Sequence, residues 1–226
     1  MNSSVVVSGG TGGLGSAVTR TLLAAGWQVV VPYVDERELE RVEPHPQLEL
    51  VAADLLDPAA AAAVVAAAGD RLAALVNLVG GFASGGRVHE TPVEEFERQF
   101  RLNLRPAYLL CQAALPRMLE AGAGAIVCVS TRAALRPFPG AAGYISSKAA
   151  VLAFVDALAA EYTADGLRAN AILPSVIDTP ANRASQPDAD HSRWVTPEQI
   201  AQVIRFLCAE ESAAISGAHI PVYGRA

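Results

Sequence analysis

The chain reads as one α/β domain, a doubly wound three-layer α/β/α fold with about seven parallel strands between helices. Short β-branched runs alternate with Ala- and Leu-rich helical stretches along the whole length, the pattern of βαβ units. The strand candidates are almost continuously apolar, as strands covered on both faces must be. The 226 residues, 52% hydrophobic, suffice for a sizeable core, and no repeat, linker or composition break divides residues 1–226.

The strands are placed at Ser4 to Ser8, Gln28 to Val31, Leu48 to Ala52, Leu75 to Val79, Ala125 to Ser130, Ala169 to Leu173 and His219 to Val222. A helix follows the first of them over Ser16 to Ala25. Thr91-Pro92-Val93-Glu94 and Thr196-Pro197-Glu198-Gln199 each offer a Thr N-cap, Pro at the first helical position and an acid or amide near N3. In a further helix, Pro106 lacks the N–H that would reach the carbonyl of Leu102, so a distortion is expected beside Asn103. The helix from about Tyr144 to Tyr162 is apolar on nearly every face and must be buried on more than one side. One side covers the sheet; the other predicts a homo-oligomer, a homodimer or homotetramer.

A net charge of −6 with scattered arginines argues against nucleic acid or anionic membranes as partners. Cys111, Cys128 and Cys208 are far apart in apolar surroundings, which suits buried thiols in a reducing compartment rather than disulfides or a metal site. His89 and His191 lack metal-ligand spacing, and no metal is expected. The start, Met1-Asn2-Ser3-Ser4, has no basic region before its short apolar run. The longest strongly apolar run, Ala59 to Ala68, is about half the roughly 20 residues a membrane span needs. The expected location is cytoplasmic.

Directly after the first strand stands Ser8-Gly9-Gly10-Thr11-Gly12-Gly13-Leu14-Gly15. A glycine-rich turn between strand and helix lets a pyrophosphate approach the backbone and the helix N-terminus. Gly9, Thr11, Gly13, Leu14 and Gly15 are therefore cofactor-binding candidates, and the missing Gly-Lys-Ser/Thr excludes a P-loop. Asp54-Leu55 after the third strand could accept from an adenine amino group. Asn77 and Gly80 close the fourth. The order of these pieces at the carboxyl ends of successive strands points to a dinucleotide in a Rossmann-type crevice. At the end of the second strand an acid would select NAD and a base NADP. Tyr33 stands there, with Asp35, Glu36 and Arg37 beyond, so the choice between NAD and NADP stays open.

Tyr144 and Lys148 lie four residues apart, on one face of one helix. A free tyrosine has a pKa near 10, and an adjacent cation favours the phenolate, so the pair reads as an acid/base unit. Of the 17 Lys and Arg residues, Lys148 is the only lysine. Arginine's rigid fork could not readily bond two ribose hydroxyls while facing a phenol.

With these residues in view, the chain resembles the short-chain dehydrogenase/reductase family over essentially its whole length. The resemblance rests on the Ser-Gly-x-x-x-Gly-x-Gly turn, Asn77-x-x-Gly80, Asn103, Tyr144-x-x-x-Lys148 and Asn170 to Thr179, in the family's order. It implies that Tyr144 is the general acid, and that Lys148 holds the nicotinamide ribose and lowers the Tyr144 pKa. It also implies that Asn103 anchors a water chain to Lys148. The family's substrate-orienting serine falls thirteen residues before the tyrosine, on Thr131, with Ser130 beside it; only one of the two can face the cofactor. Pro174-Ser175 stands where the family has Pro-Gly, and Ile177 and Thr179 follow near the carboxamide.

A short lid over about residues 177–195 is expected to cover the substrate, with Trp194 either stacking on a flat ring or pinning the lid. Gly80 to Gly86, the Pro139-Gly140 to Tyr144 approach and the Asp178 to Arg183 segment are similar to the dihydropteridine reductase branch. Relatives in that branch lack the substrate-orienting hydroxyl that Thr131 supplies, which favours hydride transfer to a small ketone or aldehyde, as in a 3-oxoacyl or other ketone reductase. The alternatives are reduction of a quinonoid dihydropterin and a dinucleotide-sensing regulator without turnover. The expected partner is a small-molecule substrate.

Overall fold

The computed structural model describes residues 3–225, the side chain of Arg41 apart; Met1, Asn2 and Ala226, which belong to the expected domain, lie outside. Seven parallel strands form one sheet in the order β3-β2-β1-β4-β5-β6-β7. They span Ser4–Ser8 (β1), Gln28–Tyr33 (β2), Leu48–Ala52 (β3), Leu72–Asn77 (β4), Gly124–Val129 (β5), Leu167–Pro174 (β6) and His219–Val222 (β7). β4 begins and ends earlier than the expected Leu75 to Val79. The last pair with β1 is Ser8 with Asn77, and the next N–H, that of Leu78, donates to the Ser8 carbonyl at 3.2 Å with the Ser8 hydroxyl oxygen also 3.2 Å away.

The helices are α1 (Gly15–Ala24), α2 (Pro58–Ala67), α3 (Val93–Asn103), α4 (Arg105–Ala121), α5 (Ala142–Tyr162), α6 (Pro180–Ser185) and α7 (Pro197–Cys208). One core lies between the sheet and α2, α4 and α5, around Leu75, Leu110, Met118, Val155 and Leu173. The other lies beneath α1 and α7, around Val5, Leu22, Ile172, Ile200 and Ile204. Residues of the central strands alternate between these two cores, so apolar side chains predominate there, whereas the edge strands β3 and β7 are partly exposed.

Thr196 caps α7 as expected, in a capping box with Gln199. Thr91 does not cap α3. That helix starts behind Pro92, and the Thr91 hydroxyl turns back to donate to the carbonyls of Gly86 and Arg87 at 3.2 and 3.0 Å. Beside Asn103 the expected distortion is a full break: α3 ends, Leu104 sits at φ −115°, and α4 restarts with Pro106 in its first turn.

α5 buries Val151, Leu152, Val155 and Leu158 on the sheet. Part of the second cover its sequence demands comes from α3, since a Cβ on Gly143 would stand 3.3 Å from the Phe96 Cα and 3.2 Å from the Gln99 Cγ. Ala142–Asp165 is long and apolar enough to cross a membrane by length and composition. The run criterion missed it because Ser146, Ser147, Lys148 and Asp156 interrupt the apolar stretch. Its buried face is a layer of the fold's core.

Candidate active site

The strand order reverses between β1 and β4, and the crevice outside their carboxyl ends is where an open α/β sheet receives a ligand. The glycine turn sits there. Gly9 takes φ +70°, and a Cβ on Gly15 would stand 1.9 Å from the Gly9 carbonyl oxygen. A side chain is excluded at Gly15, and the α1 N-terminus is thereby drawn against the crevice. No side chain caps that helix at Leu14, so its first N–H groups offer an anion site. Gly13 approaches the other wall, with its would-be Cβ 3.1 Å from Thr179. Thr11 is buried at the turn, and its hydroxyl donates to Glu38.

The adenosine side differs in detail from expectation. Tyr33 is half-buried at the last position of β2. Asp54 is exposed and caps its own turn, accepting from Leu56 N at 2.9 Å. Leu55 turns into the core, 6% exposed. The Asp54-Leu55 step thus presents one carboxylate at the strand end, not a two-residue binding surface, because Leu55 completes the packing between the sheet and α2.

Further along the crevice lie Asn77, Gly80, Asn103 and Lys148. Asn77 is buried, its Nδ2 directed at the thiols of Cys128 and Cys111 at 3.5 and 3.7 Å, and its Oδ1 has no partner among the described residues. A Cβ on Gly80 would lie 2.6 Å from the Asn103 Oδ1 and 2.9 Å from the Lys148 Nζ, so only glycine allows these two groups to converge. Asn103 grips the Gly81 backbone at both ends, accepting from its N–H at 2.9 Å and donating to its carbonyl at 3.1 Å. Its Nδ2 also lies 3.1 Å from the Ser147 hydroxyl, which itself donates to the Tyr144 carbonyl. This staples the α3–α4 break to α5.

Lys148 donates from Nζ to the Val129 carbonyl at 3.0 Å. Burial pushes its pKa down to about 8, opposed by the neighbouring Cys128 sulfur. Burial likewise drives the Cys128 thiol up to about 11. Tyr144 is half-buried, and desolvation holds its phenol above the ordinary value, with the nearby Thr131 hydroxyl acting against the rise. The Lys148 ammonium is turned to the Val129 carbonyl.

The pairing of Thr131 with Tyr144 separates Thr131 from its neighbour. Ser130 is buried and donates to the Lys148 carbonyl at 2.7 Å, fixing α5 to β5 from the opposite face. Thr131 therefore holds the place beside the phenol. Over the Tyr144 ring, at 5.0 Å and edge-on, stands Phe82 from the β4–α3 loop, with Phe138 from the β5–α5 loop 6.4 Å further on. Both are exposed. The two loops are joined by Gly85 N–H donating to Gly140 O at 2.7 Å, and a Cβ on Gly140 would stand 2.7 Å from the Gly85 carbonyl oxygen.

Past Pro174, the Ser175 hydroxyl bonds the Tyr223 carbonyl, and Ile177 pairs with Val195. Thr179 caps α6 and Asn182 closes on the Ile177 carbonyl at 2.8 Å. Trp194 is 9% exposed and packs on His191 at 4.4 Å. It pins the lid and has no free face for a substrate ring. Among the described residues no group of three His, Cys, Asp or Glu side chains converges on a common point.

Four residues at the site escaped the sequence reading. Glu38 had a signal, the Asp35-x-x-Glu38 capping-box spacing. Ser147 and Gln99 could have been sought one residue before the lysine and one turn before Asn103, whereas nothing local marked Phe82 as lying over Tyr144.

The chain is similar to known proteins over nearly its whole length. The family model described as enoyl-(acyl carrier protein) reductase covers residues 9–224. The 2-(R)-hydroxypropyl-CoM dehydrogenase of Xanthobacter autotrophicus is 33% identical over 99% of this chain and 98% of its own. A solved short chain dehydrogenase/reductase family protein has a TM-score of 0.89 and 31% identity over 98% of this chain and 96% of its own. The 3-ketoacyl-(acyl-carrier-protein) reductase from Brucella melitensis, solved with NADH, has a TM-score of 0.88 and 28% identity, covering 99% and 98%.

Proposed function

This chain belongs to the short-chain dehydrogenase/reductase family, and from that premise we propose that it is an NAD(P)-dependent enzyme interconverting a small ketone or aldehyde and its alcohol. The observation that carries the reading is the Thr131 hydroxyl near the Tyr144 phenol, on the helix that also carries buried Lys148. The crevice suits a dinucleotide on its own residues: the α1 N-terminus is uncapped, Gly13 faces Thr179 closely, and the buried Asn77 Oδ1 awaits a donor. Gly9, Thr11, Gly13, Leu14 and Gly15 hold the pyrophosphate, with Lys148, Ile177 and Thr179 towards the nicotinamide end.

When bound, the nicotinamide supplies or takes the hydride. Tyr144, kept protonated by burial, gives its proton to the substrate oxygen, and the Thr131 hydroxyl holds that oxygen in line. The Lys148 ammonium adds positive charge on the crevice side. Asn103 fixes the Gly81 backbone next to it. Lys148 and Asn103 therefore organise the site, and Tyr144 is the residue that moves the proton.

A quinonoid dihydropterin is the second reading. The exposed Phe82 ring beside Tyr144 favours it, since a flat heterocycle can stack there. Thr131→Ala separates the two: carbonyl turnover falls steeply, whereas pterin reduction, which forms no alkoxide, is spared. Consumption of reduced cofactor with a panel of ketones, aldehydes and pterins tests the function itself, and binding without consumption of any of them would indicate a sensor.

The buried thiols and acidic charge support a cytoplasmic setting. The outer side of α5, with Ala153, Ala157 and Ala160 beside half-exposed Tyr108 on α4, supports assembly as a homodimer or homotetramer. Light scattering at micromolar concentration gives a multiple of the 23.5 kDa chain mass if this holds.

A further inference from the structure

The rim of the site carries two phenylalanines in the open. Phe82, on the β4–α3 loop, is 60% exposed, and Phe138, on the β5–α5 loop, is 43% exposed. A lone apolar side chain in water needs no explanation, but these two stand in line with the acid. The Phe82 ring meets the Tyr144 ring edge-on at 5.0 Å, and Phe138 stands 6.4 Å from Phe82 at an interplanar angle of 45°. Both separations lie in the range at which aromatic rings attract. An apolar surface thus starts on the ring of Tyr144 itself and continues outward along the two loops.

The loops that carry the rings are tied down. Immediately before Phe82, the Gly81 backbone is gripped by Asn103, which accepts from its N–H at 2.9 Å and donates to its carbonyl at 3.1 Å. Beyond Phe82, Gly85 N–H donates to Gly140 O at 2.7 Å, which anchors the chain just past Phe138 as well. Gly140 takes φ +82°, and a Cβ there would stand 2.7 Å from the Gly85 carbonyl oxygen, so this approach requires glycine. Further along the first loop, Glu90 accepts from Arg87 N at 2.7 Å, and the Thr91 hydroxyl returns to the Gly86 and Arg87 carbonyls. The two rings are therefore held in place before any ligand arrives, and a ligand seated on them has little ordering left to do.

We propose that Phe82 and Phe138 form a wall that selects a carbonyl substrate with an aryl ring one or two bonds from its carbonyl carbon, an inference that rests on the carbonyl reading above. With the substrate oxygen at the Tyr144 phenol and the Thr131 hydroxyl, a ring that close to the carbonyl carbon comes within roughly 4.5–7 Å of Phe82, where an aromatic pair adds to plain apolar burial. In the reductive direction the carbonyl carbon takes the hydride and the oxygen takes the Tyr144 proton, which solvent restores. The aryl aldehyde or ketone leaves as the aryl alcohol and the reduced nicotinamide leaves oxidised.

The test is the steady-state rate of the full chain, with NADH and with NADPH, on phenylacetaldehyde, cyclohexylacetaldehyde and acetaldehyde and on the corresponding methyl ketones. The phenyl and cyclohexyl compounds match in size and in their unconjugated carbonyl, and differ in the aromatic ring. The phenyl compound is expected to have kcat/KM roughly five- to tenfold higher, through KM. Phe82→Ala and Phe138→Ala each bring the two compounds to within about twofold, whereas Phe82→Tyr, which keeps an aromatic face, retains the preference. A merely structural role would lower kcat for every substrate and leave the preference unmoved. Saturation-transfer NMR of the native chain with NADH and 2-phenylethanol, a pair that cannot react, reads the same contact without turnover or a variant: the ring protons take more saturation than the methylene protons. Equal KM values for phenyl and cyclohexyl compounds, a preference unchanged in both alanine variants, or no excess on the ring protons overturns the wall and leaves the carbonyl reading intact. Consumption of none of the aldehydes or ketones overturns that reading and this inference with it.

Discussion

Replacing Lys148 by arginine conserves charge and so isolates what is particular to lysine at this position. The side chain is 6% exposed, its Nζ is 3.0 Å from the Val129 carbonyl, and a Cβ on Gly80 would approach it to 2.9 Å. A longer, forked guanidinium overfills that space at about 1–3 kcal/mol. For a chain of this size, that corresponds to a fall in Tm of roughly 3–9 °C. Turnover suffers more. The site has a cation whose pKa burial brings to about 8, and an arginine stays fully charged and rigid there. Misplacing the cation that lies against the Gly80 backbone in the crevice should cost roughly 10²–10⁴ in kcat. The assay is kcat at saturating cofactor and carbonyl, normalised to folded protein by circular dichroism. An arginine variant within threefold of native turnover would refute the reasoning and make the lone lysine an accident of composition.

Three further outcomes follow from the same geometry. Lys148 titrates near 8 when folded against 10.5 ordinarily, so the unfolded chain binds more protons between those values and the burial penalty is relieved as pH rises. Denaturant titration of Lys148→Met should show the variant's advantage over the native chain shrinking by about 3 kcal/mol from pH 8 to 10.5, and a pH-independent difference contradicts it. Thr131→Ala should lower carbonyl turnover about 10- to 1000-fold with cofactor affinity unchanged, and full turnover would remove the carbonyl reading. Gly15→Ala places a Cβ against the Gly9 carbonyl oxygen at 1.9 Å, so the turn must shift. Both Tm and the thermal shift caused by NADH should drop, and a retained shift would mean that the turn does not hold the pyrophosphate.

The fold was legible because strands buried on both faces need continuous apolar runs, as β1 does, while the edge strands β3 and β7 were read at their observed bounds although they are largely exposed or half-buried. β4 was set late because its apolar run continues through Leu78 and Val79, past the last residue that pairs with β1. Asn103, Thr131, Tyr144 and Lys148 were legible as a motif order, and the structure brings the side chains of Tyr144 and Thr131 together and those of Asn103 and Lys148 beside Gly80. The electrostatics between them were not legible. A Tyr-x-x-x-Lys spacing suggests a phenol facing an ammonium, but the Val129 carbonyl takes the Lys148 ammonium and desolvation dominates Tyr144. Glu38 was hidden because its partner, Thr11, is far away in sequence and near only once β1 and β2 pair.

The central claim is that Tyr144 transfers the proton in a nicotinamide-dependent carbonyl reduction, and Tyr144→Phe tests it most directly. The measurement is oxidation of NADH with an active ketone or aldehyde, followed at 340 nm alongside cofactor affinity for the native chain and the variant. Turnover should fall by roughly 10²–10⁴ while NADH binding holds within about threefold. A phenylalanine variant that turns over at the native rate, or a native chain that binds NADH and consumes none across the panel, would contradict it.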